Sequence, residues 1–112
     1  MVAEPRLTSD FWVTAYMSRL RLAGIPHFLR SRGDATAGAV LVILNHLNGQ
    51  ATLYQRTMTI EGSRAWGVLA DGSEREVEDA MNRQLGFDPD LWVIEVEDAE
   101  GRHMLDEAGL AD

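Results

Sequence analysis

Every position from Val40 to Leu44 is apolar. Side chains alternate between the two faces of a strand, so Ala39, Leu41 and Ile43 point one way and Val40, Val42 and Leu44 the other. Both sets need cover, so the segment from Ala37 to His46 reads as a central strand of a sheet with material on both sides. A chain of 112 residues can supply one core of that kind, since a domain of this mass buries about two-thirds of its unfolded surface. The expectation is a single domain over 1–112. The longest apolar run, Ala37 to Leu44 counting Gly38, is eight residues, against the roughly twenty of a membrane-spanning helix.

The flanking sequence places other elements around that strand. Thr8, Ser9 and Asp10 offer helix-capping oxygens, and Val13, Tyr16, Met17 and Leu20 follow at helical spacing until Gly24 and Pro26 end the helix. His27 to Arg32 reads as extended, with Arg32-Gly33-Asp34 as a loop. Asn48-Gly49 predicts a two-residue hairpin turn into a return strand, Ala51 to Ile60. Glu61-Gly62-Ser63 turns the chain into a strand from Arg64 to Ala70, closed by Asp71-Gly72. Ser73 and Glu76 form a capping box for a helix that buries Val77, Ala80, Met81 and Leu85 and stops at Gly86. Asp88-Pro89-Asp90 then turns into a strand from Leu91 to Glu97. A last strand, Arg102 to Leu105, is possible, and the acidic tail from about 106 is expected to fray.

The order is α-β-β-β-β-α-β, an α+β class with an antiparallel-rich sheet of four to six strands and two helices on one face. Helices on one face leave Ala39, Leu41 and Ile43 uncovered. Either loops or a second subunit must cover them, and a homodimer through those three residues is the expectation, closed pairs being the commonest oligomers.

With no cysteine, disulfides and thiolate metal sites are excluded. Ten arginines, no lysine and eighteen acids give a net charge of −8, divided unevenly: +3 over residues 1–56 and −11 over 57–112. Such a surface repels polyphosphate, so no nucleic-acid partner is expected and a basic protein partner is. Glu4 and Pro5 precede any apolar stretch, so no secretory signal is read and the location is expected to be cytoplasmic, with no membrane partner.

Three blocks carry a resemblance. They are Phe11-Trp12-Val13 with Ala15 and Arg19-Leu20, then Arg32-Gly33-Asp34 with Ala37-Gly38-Ala39-Val40-Leu41-Val42, and Asp88-Pro89-Asp90-Leu91-Trp92 with Glu95. Together, in this order and over nearly the whole chain, they resemble an uncharacterised family of short bacterial proteins known as a domain of unknown function. The resemblance implies a small single-domain cytoplasmic protein and carries over no catalytic residue.

Arg30, Arg32, Gly33 and Asp34 are the candidate anion-binding loop. Arginines two apart on a strand share a side, and glycine lets a ligand approach the backbone. The competing reading is a tight connection with its arginines paired to the acidic half. Asp88, Asp90 and Glu95 form a candidate Mg²⁺ or Ca²⁺ set, against a proline turn entering a strand, and the calcium-loop spacing is absent. His27, His46 and His103 lie in three elements without metal-pair spacing, and no serine sits in a nucleophile elbow. Trp12, Trp66 and Trp92 read as anchors of one core, or as a stacking platform if one indole is exposed. No cofactor is implied. The leading function is a non-catalytic protein-interaction or regulatory module. The alternative is a small enzyme or an anion or nucleotide binder using the Arg30–Asp34 loop.

Overall fold

A computed structural model of the chain describes residues 7–58 and 64–111. The elements are α1 (Ser9–Leu22), β1 (His27–Ser31), β2 (Val40–Asn45), β3 (Gln50–Met58), β4 (Arg64–Ser73), α2 (Glu74–Phe87) and β5 (Trp92–Glu97). Their order is the one expected from the sequence. The predicted turn at Glu61-Gly62-Ser63 lies outside the described residues.

The strands form one five-stranded sheet in the order β1-β5-β2-β3-β4. Three of its pairings are antiparallel, and β2 with β5 is parallel, running from Val40↔Trp92 to Asn45↔Glu97. The sheet is thus mixed. A parallel neighbour needs a crossover, and α2 supplies it on the way from β4 to β5.

That crossover settles which helix covers which face. Val77, Ala80 and Met81 of α2 pack on Leu41, Ile43, Leu53 and Val93. Trp12, Val13, Tyr16 and Leu20 of α1 pack on Val40, Val42, Leu44, Ile94 and Val96. Leu41 belongs to one cluster and its neighbours Val40 and Val42 to the other, so the helices lie on opposite faces rather than together on one. Both apolar sets of β2 are covered within the chain, and Leu41 and Ile43 are each only 4% exposed. The homodimer face expected at Ala39, Leu41 and Ile43 is corrected accordingly: Ala39 is exposed, but the other two are under α2. Burying two such side chains contributes about 1.5–3 kcal/mol each without a second subunit.

The tail is docked, not frayed. Leu105 and Leu110 are buried in the α1-side core, Tyr16 Oη donates to the His103 carbonyl at 2.7 Å, and Arg19 Nη2 donates to the Ala108 carbonyl at 3.3 Å. This segment extends cover beside α1, and no strand forms at Arg102–Leu105.

Local signals hold where they are short-range. The Ser73 capping box is present, with Glu76 N donating to Ser73 Oγ at 3.1 Å and Ser73 N to Glu76 Oε1 at 3.2 Å. The helix runs one residue past Gly86. The β2–β3 hairpin forms, but its turn spans Leu47 to Gly49, closed by His46 N donating to the Gln50 carbonyl, with positive φ at Leu47 (61°) and Gly49 (88°). Asn45 Oδ1 takes the Leu47 amide at 2.9 Å and holds the longer turn. Both edge strands carry an extra residue, Arg30 in β1 and Leu69 in β4, which breaks the flat register another chain would need to pair there. Among the described residues, no helix is long and apolar enough to cross a membrane.

Candidate binding cleft

A cleft of about 680 Å³ opens at the end of the sheet where β2 begins. Its position follows from unequal strand lengths. Leu41 is paired with Gln55, while β3 runs on to Met58 and pairs there only with β4. The β3–β4 ribbon therefore overhangs the start of β2. Thr8 at the N-cap of α1, Ser9 and Trp12 within that helix, the 36–39 loop, Gln55, Arg56 and Arg64 of the ribbon, and Gln84, Asp88 and Leu91 around the end of α2 wall the space between.

The loop forming one rim is rigidly built. Asp34 Oδ2 accepts the amides of Thr36 (3.2 Å) and Ala37 (2.8 Å). The Asp34 carbonyl accepts Trp92 Nε1 at 2.7 Å, and Ser9 Oγ donates to the Gly38 carbonyl at 2.6 Å. The amides of Ser9 and Asp10 donate to the Thr36 and Ala35 carbonyls, so the first turn of α1 spends these donors on the loop. On the opposite wall the Arg56 guanidinium lies against a pair of indoles, 4.7 Å from the Trp12 ring and 5.0 Å from that of Trp66, the two rings themselves packing 5.4 Å apart. Trp12 also stacks on Tyr16 at 5.0 Å. Burial and the nearby Tyr54 hydroxyl hold the Tyr16 phenol far above its ordinary value. Among the described residues, the buried Trp12 indole N–H has no acceptor.

The sequence candidates fall elsewhere. Arg30 Nη2 donates to Glu78 Oε2 at 2.7 Å, and Nη1 pairs with Glu95 Oε1. These partners, Glu78 foremost, raise the guanidinium further above its usual value. Arg32 lies 5.4 Å from the Trp92 ring centroid. Gly33 does permit a close approach, but by the chain itself: a Cβ there would stand 2.2 Å from the Asp90 carbonyl oxygen and 2.6 Å from Trp92 Cδ1. Asp34 is a loop brace. The four residues are therefore a braced connection with Arg30 ion-paired, not an assembled anion cradle. Asp88 Oδ1 accepts the Asp90 amide at 3.0 Å, while Glu95 belongs to Arg30. Among the described residues, no group of three or more acidic or histidine side chains could hold a metal ion. The histidines have separate settings: His27 at the Ile25 carbonyl, His46 at Thr52 Oγ1, His103 against Tyr54. Trp12 and Trp92 are buried in one core with Trp66 packed against it. Ala39, Leu41 and Asp88, singled out for other reasons, line the cleft.

The family model described as "Protein of unknown function (DUF1491)" matches residues 7–106. The chain belongs to the DUF1491 family. Its fold is similar to the crystal structure of a DUF1491 family protein from Caulobacter crescentus CB15, with 36% identity, a TM-score of 0.83, and coverage of 91% of this chain and 97% of that one. The solution structure of a DUF1491 family protein from the same organism is also 36% identical, with a TM-score of 0.81 over 93% of this chain and 96% of that one. Protein Atu0922 from A. tumefaciens is 27% identical, with a TM-score of 0.71 over 83% and 86%. Among curated proteins, none matches.

In this DUF1491 chain, sequence reasoning missed Arg56, Arg64, Gln55 and Gln84. One signal was available for Arg56. It shares strand parity with Thr52 and Tyr54, and the register sets it opposite Trp66, an arginine on a core-facing stripe of a DUF1491 sheet. Only the register reveals that opposition.

Proposed function

We propose that this protein is a non-catalytic binding module whose recognition surface is the cleft at the start of β2. One observation carries the reading: the cleft is a preformed concavity of mixed lining whose described residues form no proton relay. Its described lining contains a single carboxylate, Asp88, and no histidine, cysteine or lysine. Two of its hydroxyls are committed as donors, Ser9 to the Gly38 carbonyl and Thr8 to Asp10 Oδ1 at 2.7 Å. A nucleophile needs a base free to take its proton; Ser9 reaches only a carbonyl, and the Asp10 oxygen that accepts from Thr8 also accepts the Phe11 amide at 2.8 Å as part of the helix start. Concavity with an apolar lining and a few polar groups is the usual form of a ligand site. The alternative, an anion or nucleotide site at Arg30–Asp34, is disfavoured because Glu78 and Glu95 take the Arg30 charge. A basic protein partner also belongs to this proposal, supported by the excess of acids beyond residue 56.

Amide chemical shifts recorded against a chemically diverse fragment panel test the reading. Perturbations should gather on Ala37, Gly38, Leu41 and Leu91, and the exposed lining substitution Ala39→Trp should abolish them while leaving the melting temperature nearly unchanged. A panel that perturbs no cleft residue at millimolar concentration overturns it.

A further inference from the structure

We infer that the outward face of α1 is an association surface for a second copy of this chain, the two helices packing antiparallel across a two-fold axis. The helix has two apolar faces. Trp12, Val13, Tyr16 and Leu20 are buried against the sheet and the tail. At about 100° per residue, Phe11, Ala15, Ser18 and Leu22 fall within about 60° of one another on the far side. No charged residue interrupts that stripe, although it points into water: Phe11 is 60% exposed and Leu22 87%. The exterior face of a surface helix ordinarily carries the charged residues, and here they stand on its flanks instead.

The stripe fits itself. In an antiparallel pair centred between Ala15 and Ser18, Phe11 meets the partner's Leu22, and Ala15 meets the partner's Ser18. Small residues at the centre let the helix axes come close, and a large side chain at each end fills the space beyond. A two-fold pair uses each of these contacts twice. One helix pair buries less than the roughly 1,200–2,000 Å² of stable complexes. The dimer is therefore weak, with a dissociation constant on the order of tens of micromolar.

Charge selects a second copy as the occupant. Asp10 and Arg21 lie on one flank of the stripe, within about 20° of each other around the axis and at its opposite ends. The two-fold operation sets Asp10 beside the partner's Arg21, and Arg21 beside the partner's Asp10. A parallel pair would bring Asp10 to the same end as the partner's Asp10 and lose that match. Among the described residues, the arginines in ion pairs are Arg30 and Arg102, and Arg21 is in none. Asp10 spends Oδ1 on the Thr8 hydroxyl and the Phe11 amide, which leaves Oδ2 for an incoming guanidinium. The four acids of α2 lie on the other face of the sheet, so they stay apart when two chains of net charge −8 meet through α1.

Sedimentation equilibrium of the full chain, from about 10 to about 500 µM so as to bracket that constant, tests the pair. The wild type should pass from monomer to dimer. Leu22→Lys, at a position too exposed to affect the fold, should raise the dissociation constant about tenfold or more. Arg21→Glu sets an acid against Asp10, and Asp10→Arg sets a base against Arg21, so each variant alone should associate about fivefold more weakly than the wild type. An equimolar mixture of the two should recover association as a heterodimer, because both swapped pairs then match. Mixing would not mend a merely structural effect of either substitution. Should Asp10→Arg fray the start of α1, seen as lost helicity by circular dichroism, Leu22→Lys decides alone. A wild type that stays monomeric throughout, or a dimer indifferent to Leu22→Lys, overturns the surface. With both charge variants folded, a mixture that associates no better than its components overturns the antiparallel pairing. None of the six residues lines the cleft, so either failure leaves the cleft reading standing.

Discussion

The Trp66 indole N–H donates to the Leu110 carbonyl at 3.1 Å, joining the start of the edge strand β4 to a segment 44 residues later. Leu110, 2% exposed, sits in the same cluster as Trp12 and Leu105. Through this contact the acidic tail becomes part of the core. Leu110→Ala should lower stability by about 2–4 kcal/mol, the range for truncating a buried leucine. Urea unfolding checks the value, and a shift below 0.5 kcal/mol would mean that the tail is not docked in solution.

Leu41→Glu gives a sharper contrast. On the expectation of a dimer face it would release folded monomers. With Leu41 under Val77 and Ala80 of α2, it places an unpaired charge in the core, at a cost of about 3–5 kcal/mol. Light scattering with far-ultraviolet circular dichroism should show loss of fold, not a folded particle of half the mass.

Two glycines should respond oppositely to alanine. At Gly33 the new methyl would stand 2.2 Å from the Asp90 carbonyl oxygen, and backbone cannot turn aside as a flexible side chain would. We expect a loss of about 1–3 kcal/mol. At Gly86, inside α2, a Cβ meets nothing within 4 Å, so alanine should stabilise by about 0.5–1 kcal/mol through helix propensity. Thermal melts of the two variants should move in opposite directions.

Acid should act in two windows. Burial holds His103 below its usual 6.5, although Asp106 pulls the other way. The unfolded chain therefore takes up a proton first, and stability is full above about 6.5 and falls as pH drops toward the lower folded value. His103→Asn, which retains an acceptor for the Leu105 amide, should flatten that window. Hydrogen bonds from the Arg102 side chain and amide hold Asp98 below its usual 3.8. Its contribution is present above that value and lost as pH falls through the lower folded one, a window that Asp98→Asn should remove. Urea midpoints measured from pH 8 to pH 3 resolve both.

The exposed acids of α2, Glu74, Glu76 and Asp79, with Glu100 beyond β5, face solvent. Fluorescence anisotropy should accordingly detect no binding to duplex DNA at 150 mM salt. Micromolar affinity there would contradict the electrostatic reading.

What the sequence determined by itself is what short-range physics controls. The capping box needs only Ser73 and Glu76 three residues apart, the α1 stripe only a helical repeat, and the demand for cover on both faces of β2 only the alternation of one strand. The element order and the α+β class follow from such signals. Tertiary structure alone decided the source of the cover. The alternation at Leu41 and Val42 says that two layers are needed, but it is silent on whether a helix, a tail or a second chain provides them. The answer came from β5 entering between β1 and β2, a parallel pairing of residues 52 apart at Val40 and Trp92. The same holds for the sites. Arg30 looked available to an anion because its partners Glu78 and Glu95 are 48 and 65 residues away. The cleft could not be read in advance because its walls, from Leu7 to Leu91, meet only when the β3–β4 ribbon overhangs β2, and strand register is a long-range property that no local pattern encodes.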